Sequence, residues 1–311
     1  MSDSPVLPII CGPTASGKTG VAVKLARDFP VEVVSADSRQ IIRKLDIGTA
    51  KPTLEECRKV NFHLVDIIEP GERYSAFRFI DDANAAIGEI LSLNHIPLIV
   101  GGTGLYLRAL SEGVVEINND DMSIRDSLEQ EMGRIGSQAM FERLEQIDPL
   151  EANRLHPNNK VRIIRALEIF ELTGKTRSEL AITGAYHKSE YNFRYYCLAP
   201  PREALYERIN KRVDEMIATG WLEELKVLID TGMREAIRKS NVIGYRELLD
   251  HIDGKYSLEE AVALIKQNTR RYAKRQMTWF RHQGECEFFE SRDKLVASLA
   301  GRGFCRFICG I

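Results

Sequence analysis

At 311 residues, with 44% hydrophobic, 8% aromatic and 28% charged positions, the chain has the make-up of a soluble globular protein large enough for one big domain or two. Its 43 Lys and Arg against 45 Asp and Glu leave a formal net charge of −2. That excludes a chain that is basic throughout, so any surface for nucleic acid must be local.

In chain order, Met1-Ser2-Asp3-Ser4-Pro5 lacks a positive n-region, and the apolar run that follows is too short to span a bilayer. A cytoplasmic protein without a membrane partner is expected. Leu7 to Cys11 predicts a buried strand, and Gly20 to Ala26 has helical spacing. Between them stands Gly12-Pro13-Thr14-Ala15-Ser16-Gly17-Lys18-Thr19, a G-x-x-x-x-G-K-[ST] phosphate loop in its required strand–loop–helix setting. Its glycines let successive N–H groups point at one anion, and the helix N-terminus adds partial positive charge. Lys18 is expected to meet the outer phosphate oxygens and Thr19 to offer a hydroxyl to a bridging Mg²⁺.

Val31 to Val34 predicts a second strand, ending in Ser35-Ala36-Asp37-Ser38-Arg39-Gln40. Beyond the carboxyl end of a parallel strand, Asp37 falls beside the glycine loop, as a base or metal partner, as the cap of a helix over Ile41 to Leu45, or as both. Asp46 to Pro52 reads as a loop, His63 to Ile68 as a third strand with a structural histidine, and Ala83 to Leu91 as helix. Pro97 to Val100 predicts a fourth strand running into Gly101-Gly102-Thr103-Gly104, glycines that mark close approach of a ligand or a neighbouring helix.

Asn118 to Asp121 is a polar linker, and the residues from Ile124 to about Tyr191 read as helices. There Lys160, Arg162 and Arg165 bracket Ile163, Leu167 and Phe170, giving a cationic face that is solvated unless something else recruits it, and Gly174 marks a stop. Phe193 to Leu198 restores a strand, followed by a long helix through Arg212, whose simplest reading is a surface arginine paired with Glu215. Asn241 to Glu247 is a further glycine-marked turn into a helix. The segment from Asn268 to His282 then sets Arg270, Arg271, Lys274, Arg275 and Arg281 largely along one helical side, dense enough to neutralise several backbone phosphates. The six cysteines, at 11, 57, 197, 286, 305 and 309, form no Cys-x-x-Cys pair; Cys305 and Cys309 stand one helical turn apart without a second ligand pair, so reduced, mostly buried thiols are expected.

These elements predict an α/β fold: a P-loop NTPase-like parallel sheet flanked by helices, built from residues 1–118 and 192–311, with an all-helical insertion at 119–191. No strand ends in the acidic pair that orients water in an ATPase, which favours group transfer over hydrolysis. The loop by itself does not separate phosphoryl transfer from a reaction in which diphosphate leaves.

Taken together, the Gly12–Thr19 loop, Ser35–Gln40, Asp46–Pro52, Val100–Thr103, Val242–Tyr245 and the Thr269–Trp279 segment resemble the tRNA dimethylallyltransferases of bacterial type, over nearly the whole chain. The resemblance implies transfer of a dimethylallyl group from dimethylallyl diphosphate, with Mg²⁺, to N6 of the adenosine 3′ of the anticodon in tRNA. It implies Lys18, Asp37, Thr103 and Arg212 as catalytic residues, and Gly12, Pro13, Thr14, Ala15, Ser16, Gly17, Lys18 and Thr19 as the diphosphate site. It assigns tRNA contact to Asp37, Ser38, Arg39, Gln40, Thr103, Arg125, Val161, Arg162, Ile163, Ile164, Arg165, Val242, Gly244, Tyr245 and Arg246. A monomer is expected. The rivals are an isopentenyltransferase acting on free adenine nucleotide, a P-loop small-molecule kinase, and a non-catalytic RNA-binding protein.

Overall fold

A computed structural model describes residues 6–115, 122–182, 186–283 and 285–301. The initial Met1–Pro5 segment, the Asn118–Asp121 linker and the Cys305/Cys309 pair lie outside the described residues. The chain divides into two compact units, Met1–Ser111 with Ser189–Ile311, and Glu112–Lys188.

The first unit starts with β1 (Val6–Cys11), α1 (Lys18–Leu25), β2 (Val31–Ala36), α2 (Leu54–Cys57), β3 (Phe62–His63), α3 (Ala76–Ser92), β4 (Ile96–Gly101) and α4 (Gly104–Glu112). The second holds β5 (Val114–Val115), α5 (Ser123–Ile147), α6 (Pro149–Ala152), α7 (Lys160–Thr173), α8 (Arg177–Ile182) and β6 (Tyr186–His187). The first resumes with β7 (Asn192–Leu198), α9 (Arg202–Ala218), α10 (Trp221–Asp230), α11 (Arg234–Ser240), α12 (Tyr245–Ile252), α13 (Leu258–Arg281), β8 (Cys286–Phe289) and α14 (Arg292–Gly301).

Six strands form one parallel sheet in the order β3-β2-β4-β1-β7-β8. The central strands β2 and β4 are buried along their whole length, as unbroken apolar runs covered by helices on both faces require. One face packs Ile9, Phe79, Ile87 and Leu107, and the other Ile10, Val21, Leu25 and Leu98. β1, β2 and β4 all end at the same edge, with Cys11 and Ala36 each paired to Gly101. The loops after these three strands therefore converge there.

Several local expectations are revised. No helix forms over Ile41–Leu45: Ile42 bridges to Ile68, and Lys44 adopts a positive φ of 65° that a helix does not admit. The strand expected at His63–Ile68 shortens to Phe62–His63, because Leu64 and Asp66 both turn to positive φ. His63 is structural, its Nε2 lying 2.7 Å from a Glu32 carboxylate oxygen. α3 starts earlier than the apolar spacing suggested, where Ser75 caps it by accepting a hydrogen bond from the Arg78 N–H.

The second unit is helical apart from the two-residue antiparallel pair β5–β6, a ladder too short to leave an alternating pattern in the sequence. Its core joins Leu128, Met132, Met140, Phe141, Leu144, Ile163, Ile164 and Leu167. Gly136 breaks α5 at φ 86°, and Gly174 ends α7 in the left-handed region as expected.

Candidate active site

The phosphate loop takes its shape from three residues at positive φ: Gly12 (142°), Ala15 (61°) and Gly17 (102°). A side chain at Gly12 would also collide with the Leu198 carbonyl, since a Cβ there would lie 2.5 Å from it. Gly17 precedes α1 without any side-chain cap, so the first N–H groups of the helix remain open to an anion. The buried Ser16 hydroxyl has no hydrogen-bond partner among the described residues.

Lys18 folds back over its own loop, its ammonium donating to the Gly12 carbonyl at 3.0 Å and the Pro13 carbonyl at 2.9 Å. Burial pulls this ammonium down to about 8; the nearby Asp37 carboxylate offsets part of that pull and the Arg212 guanidinium adds to it. Arg212 is itself lowered by burial, and it is not paired with Glu215, which engages Lys211 instead. The expected surface arginine is thus a half-buried cation turned toward the loop.

Asp37 follows β2 directly, and its Oδ1 accepts the Arg39 N–H at 2.9 Å. The carboxylate therefore closes a turn on itself, the local equivalent of the cap expected for a helix. Thr103, after β4, accepts the Ser38 N–H at 2.9 Å and donates to the Ser38 hydroxyl at 3.2 Å. The two strand-end turns are bolted together by that hydroxyl. Tyr272 of α13 stands over them, its phenol pushed up to about 12 by burial and by the Asp37 carboxylate.

Lys18, Thr19, Asp37, Arg212 and Arg246 line one cavity of about 960 Å³, together with the Asp46–Pro52 loop and Asn268, Thr269 and Tyr272 of α13. Arg39 and Gln40 also reach it, but both serve the scaffold: Arg39 donates to the Ser240 carbonyl and Gln40 to the Ala50 carbonyl, each at 2.9 Å. The Asp46–Pro52 loop is pinned from below, Glu224 accepting the Asp46 and Ile47 N–H groups and the Tyr245 hydroxyl accepting that of Gly48.

Four of the expected tRNA-contacting side chains point inward. Val242 and Tyr245 belong to the core beneath the Asp46–Pro52 loop, and Ile163 and Ile164 to the core of the second unit, because each is an apolar position on the packed side of its element. Gly244 is held at φ 96° against the Trp221 ring, where no side chain fits. Exposed instead are Arg246, Val161 and Arg162. Arg125 and Arg165 both approach Glu168, at 3.8 and 2.8 Å.

Two site residues escaped the sequence reading. Gln276 is buried, accepts the Thr14 N–H at 2.9 Å and donates to the Gly102 carbonyl at 2.9 Å, so α13 ties the phosphate loop to the β4 turn. Arg292, at the start of α14, packs against Gly17 and Gly20 at the N-terminus of α1. For Gln276 the close-packed glycines gave a partial signal, since a Cβ on Gly102 would meet its amide at 2.4 Å. Arg292 left none.

The family model described as IPP transferase matches residues 40–283, and one described as isopentenyl transferase matches residues 5–66. A tRNA dimethylallyltransferase 1 of Pelobacter propionicus is 47% identical over 298 residues, covering 95% of this chain and 96% of that protein. A tRNA dimethylallyltransferase of Geobacillus kaustophilus is 43% identical over 303 residues, covering 97% and 96%. Among solved structures, the full-length tRNA isopentenylpyrophosphate transferase of Bacillus halodurans superposes with a TM-score of 0.69 at 40% identity, covering 98% of both chains. A eukaryotic dimethylallyltransferase described as acting on tRNA superposes with a TM-score of 0.79 at 28% identity, covering 96% of this chain and 77% of that one.

Proposed function

The chain belongs to the IPP transferase family and is a transferase that prenylates tRNA; from that premise we propose that its donor is dimethylallyl diphosphate and its acceptor the N6 amine of the adenosine 3′ of the anticodon. One observation carries the reading: a phosphate loop and a carboxylate at the next strand end line the same cavity, with a threonine hydroxyl fixing the carboxylate's turn. The open N–H groups at the α1 N-terminus, Lys18 and Arg212 hold the diphosphate and take up the charge that grows on it as the allylic C–O bond breaks. N6 attacks the allylic carbon, the new C–N bond forms, and Asp37 receives the proton that N6 loses. An exocyclic amine is a weak nucleophile because its lone pair is spread into the purine ring, so a carboxylate within reach matters. The acceptor base leaves the anticodon stack, which costs roughly a few kcal/mol, offset by contacts to the rest of the tRNA.

Mg²⁺ fits the donor set: the Thr19 hydroxyl makes no hydrogen bond among the described residues, lines the cavity and would offer the ion a hard oxygen beside the diphosphate. When bound, the ion neutralises charge on the leaving diphosphate. No helix among the described residues is long and apolar enough to cross a membrane.

The test is incubation with dimethylallyl diphosphate, Mg²⁺ and unmodified tRNA, followed by nucleoside mass analysis. A dimethylallyl adduct on the adenosine 3′ of the anticodon is expected. An adduct on free AMP or ATP alone, or on another nucleotide of the tRNA, would overturn the assignment.

A further inference from the structure

Three cysteines that stand far apart in the sequence meet on one face of the sheet. Cys11 ends β1 and is paired in register with Cys197 of β7. Cys286 opens β8 opposite Tyr195, two residues before Cys197, and so shares a face with Cys197 in a pleat whose period is two. Their sulfur atoms all lie within 4.8 Å of one another. Cys11 and Cys197 are fully buried in the apolar layer that contains Ile9, Leu107 and Phe280, while Cys286 packs against that layer and is only partly buried.

The spacing is within reach of what a shared ion requires. A metal–thiolate bond of about 2.3 Å places three sulfurs around a trigonal centre about 4 Å apart. No His, Asp or Glu joins the group among the described residues, so the donor set is sulfur only and the ligand number three. Such a set rejects hard ions such as Mg²⁺ and favours soft d¹⁰ ions that accept low coordination.

We propose that Cys11, Cys197 and Cys286 form a binding site for a soft, thiophilic d¹⁰ cation, with monovalent copper as its best-matched occupant, at the root of the phosphate loop. The ion bonds to the three sulfurs and the displaced thiol protons pass to solvent, so uptake strengthens as pH rises. Because Gly12 follows Cys11 directly, an occupied site fastens β1, β7 and β8 together immediately beneath the loop.

The test uses the full reduced chain with Cys57, Cys305 and Cys309 replaced by Ser, so that only the trio remains. Anaerobic titration with Cu⁺ held by a chromophoric chelator is expected to transfer one ion per chain, with the ultraviolet thiolate-to-copper absorption and a one-to-one mass under non-denaturing conditions. Adding Cys286→Ser removes the partly exposed ligand, leaves at most a two-sulfur site, and is expected to weaken that uptake by about tenfold or more. Failure of the trio to take copper from the chelator, or uptake unchanged by Cys286→Ser, overturns the proposal. Should the triple replacement not fold, Cys286→Ser alone in the otherwise natural chain lowers the copper count by one if the site exists, and an unchanged count overturns it.

Discussion

The strand-end turns and the outer side of α13 both present polar groups, yet they are built on opposite terms. At the turns three working groups already have internal partners: Lys18 holds two loop carbonyls, Asp37 the Arg39 N–H, and Thr103 the Ser38 backbone and hydroxyl. On α13, Arg271 and Lys274 are exposed and have no acidic partner among the described residues. Groups fixed in advance lower the reorganisation needed at the moment of reaction. Unpaired cations on a helix surface instead add up over many phosphates, each contributing a salt-dependent increment. The first region should therefore govern the rate of the chemical step and the second the affinity for the polyanion.

The sharpest way to break that division is Asp37→Asn, which keeps an oxygen for the Arg39 N–H and so preserves the turn while removing the base. Its single-turnover rate of prenyl transfer should fall by about 10² to 10⁴, with tRNA affinity unchanged. A comparable loss of tRNA binding would erase the distinction. Next in size, Lys18→Ala should raise the KM for the diphosphate donor by about 10- to 100-fold, the worth of charged hydrogen bonds to phosphate.

The lowered Lys18 adds a pH signature. As pH rises through about 8 the ammonium loses its proton, so kcat/KM for the donor should fall above that point. Lys18→Arg, which stays charged, should remove the fall. Asp37→Asn, which withdraws the neighbouring negative charge, should move it to lower pH.

Smaller effects sharpen the other half. Replacing Arg271 and Lys274 together by Ala should leave the single-turnover rate intact at saturating tRNA while reducing the salt slope of tRNA binding by about 0.7 to 0.9 per cation removed. Smallest of all, Arg162→Ala in the second unit should weaken tRNA binding by about threefold, and Arg165→Ala by less, because Arg165 is already committed to Glu168 at 2.8 Å. Filter binding over a range of salt concentrations measures both.

What the sequence disclosed and withheld follows the reach of each signal. The phosphate loop was legible because its geometry is set within eight consecutive residues, and the central strands because their apolar runs alternate with helices, whereas the edge strand β8 at Cys286–Phe289 was not foreseen. The position of Asp37 was legible from strand polarity, but not the turn it closes, which depends on Arg39 and Thr103. Helical spacing identified a cationic side on α7 without revealing that Glu168 of the same helix claims Arg165, and that Arg125 of α5 approaches it as well. Gln276, beyond the partial signal of the glycines it packs on, and the cysteine trio were withheld for one shared reason: their partners lie on strands and loops far away in the chain.

The lysine that clasps its own loop carries one last implication. An arriving diphosphate does not meet a bare charge; it competes with two carbonyl oxygens for a proton donor already engaged. Affinity for the donor is tempered by that exchange. On the proposed reaction, the same carbonyls are placed to reclaim the ammonium when pyrophosphate leaves, resetting the cradle for another turnover.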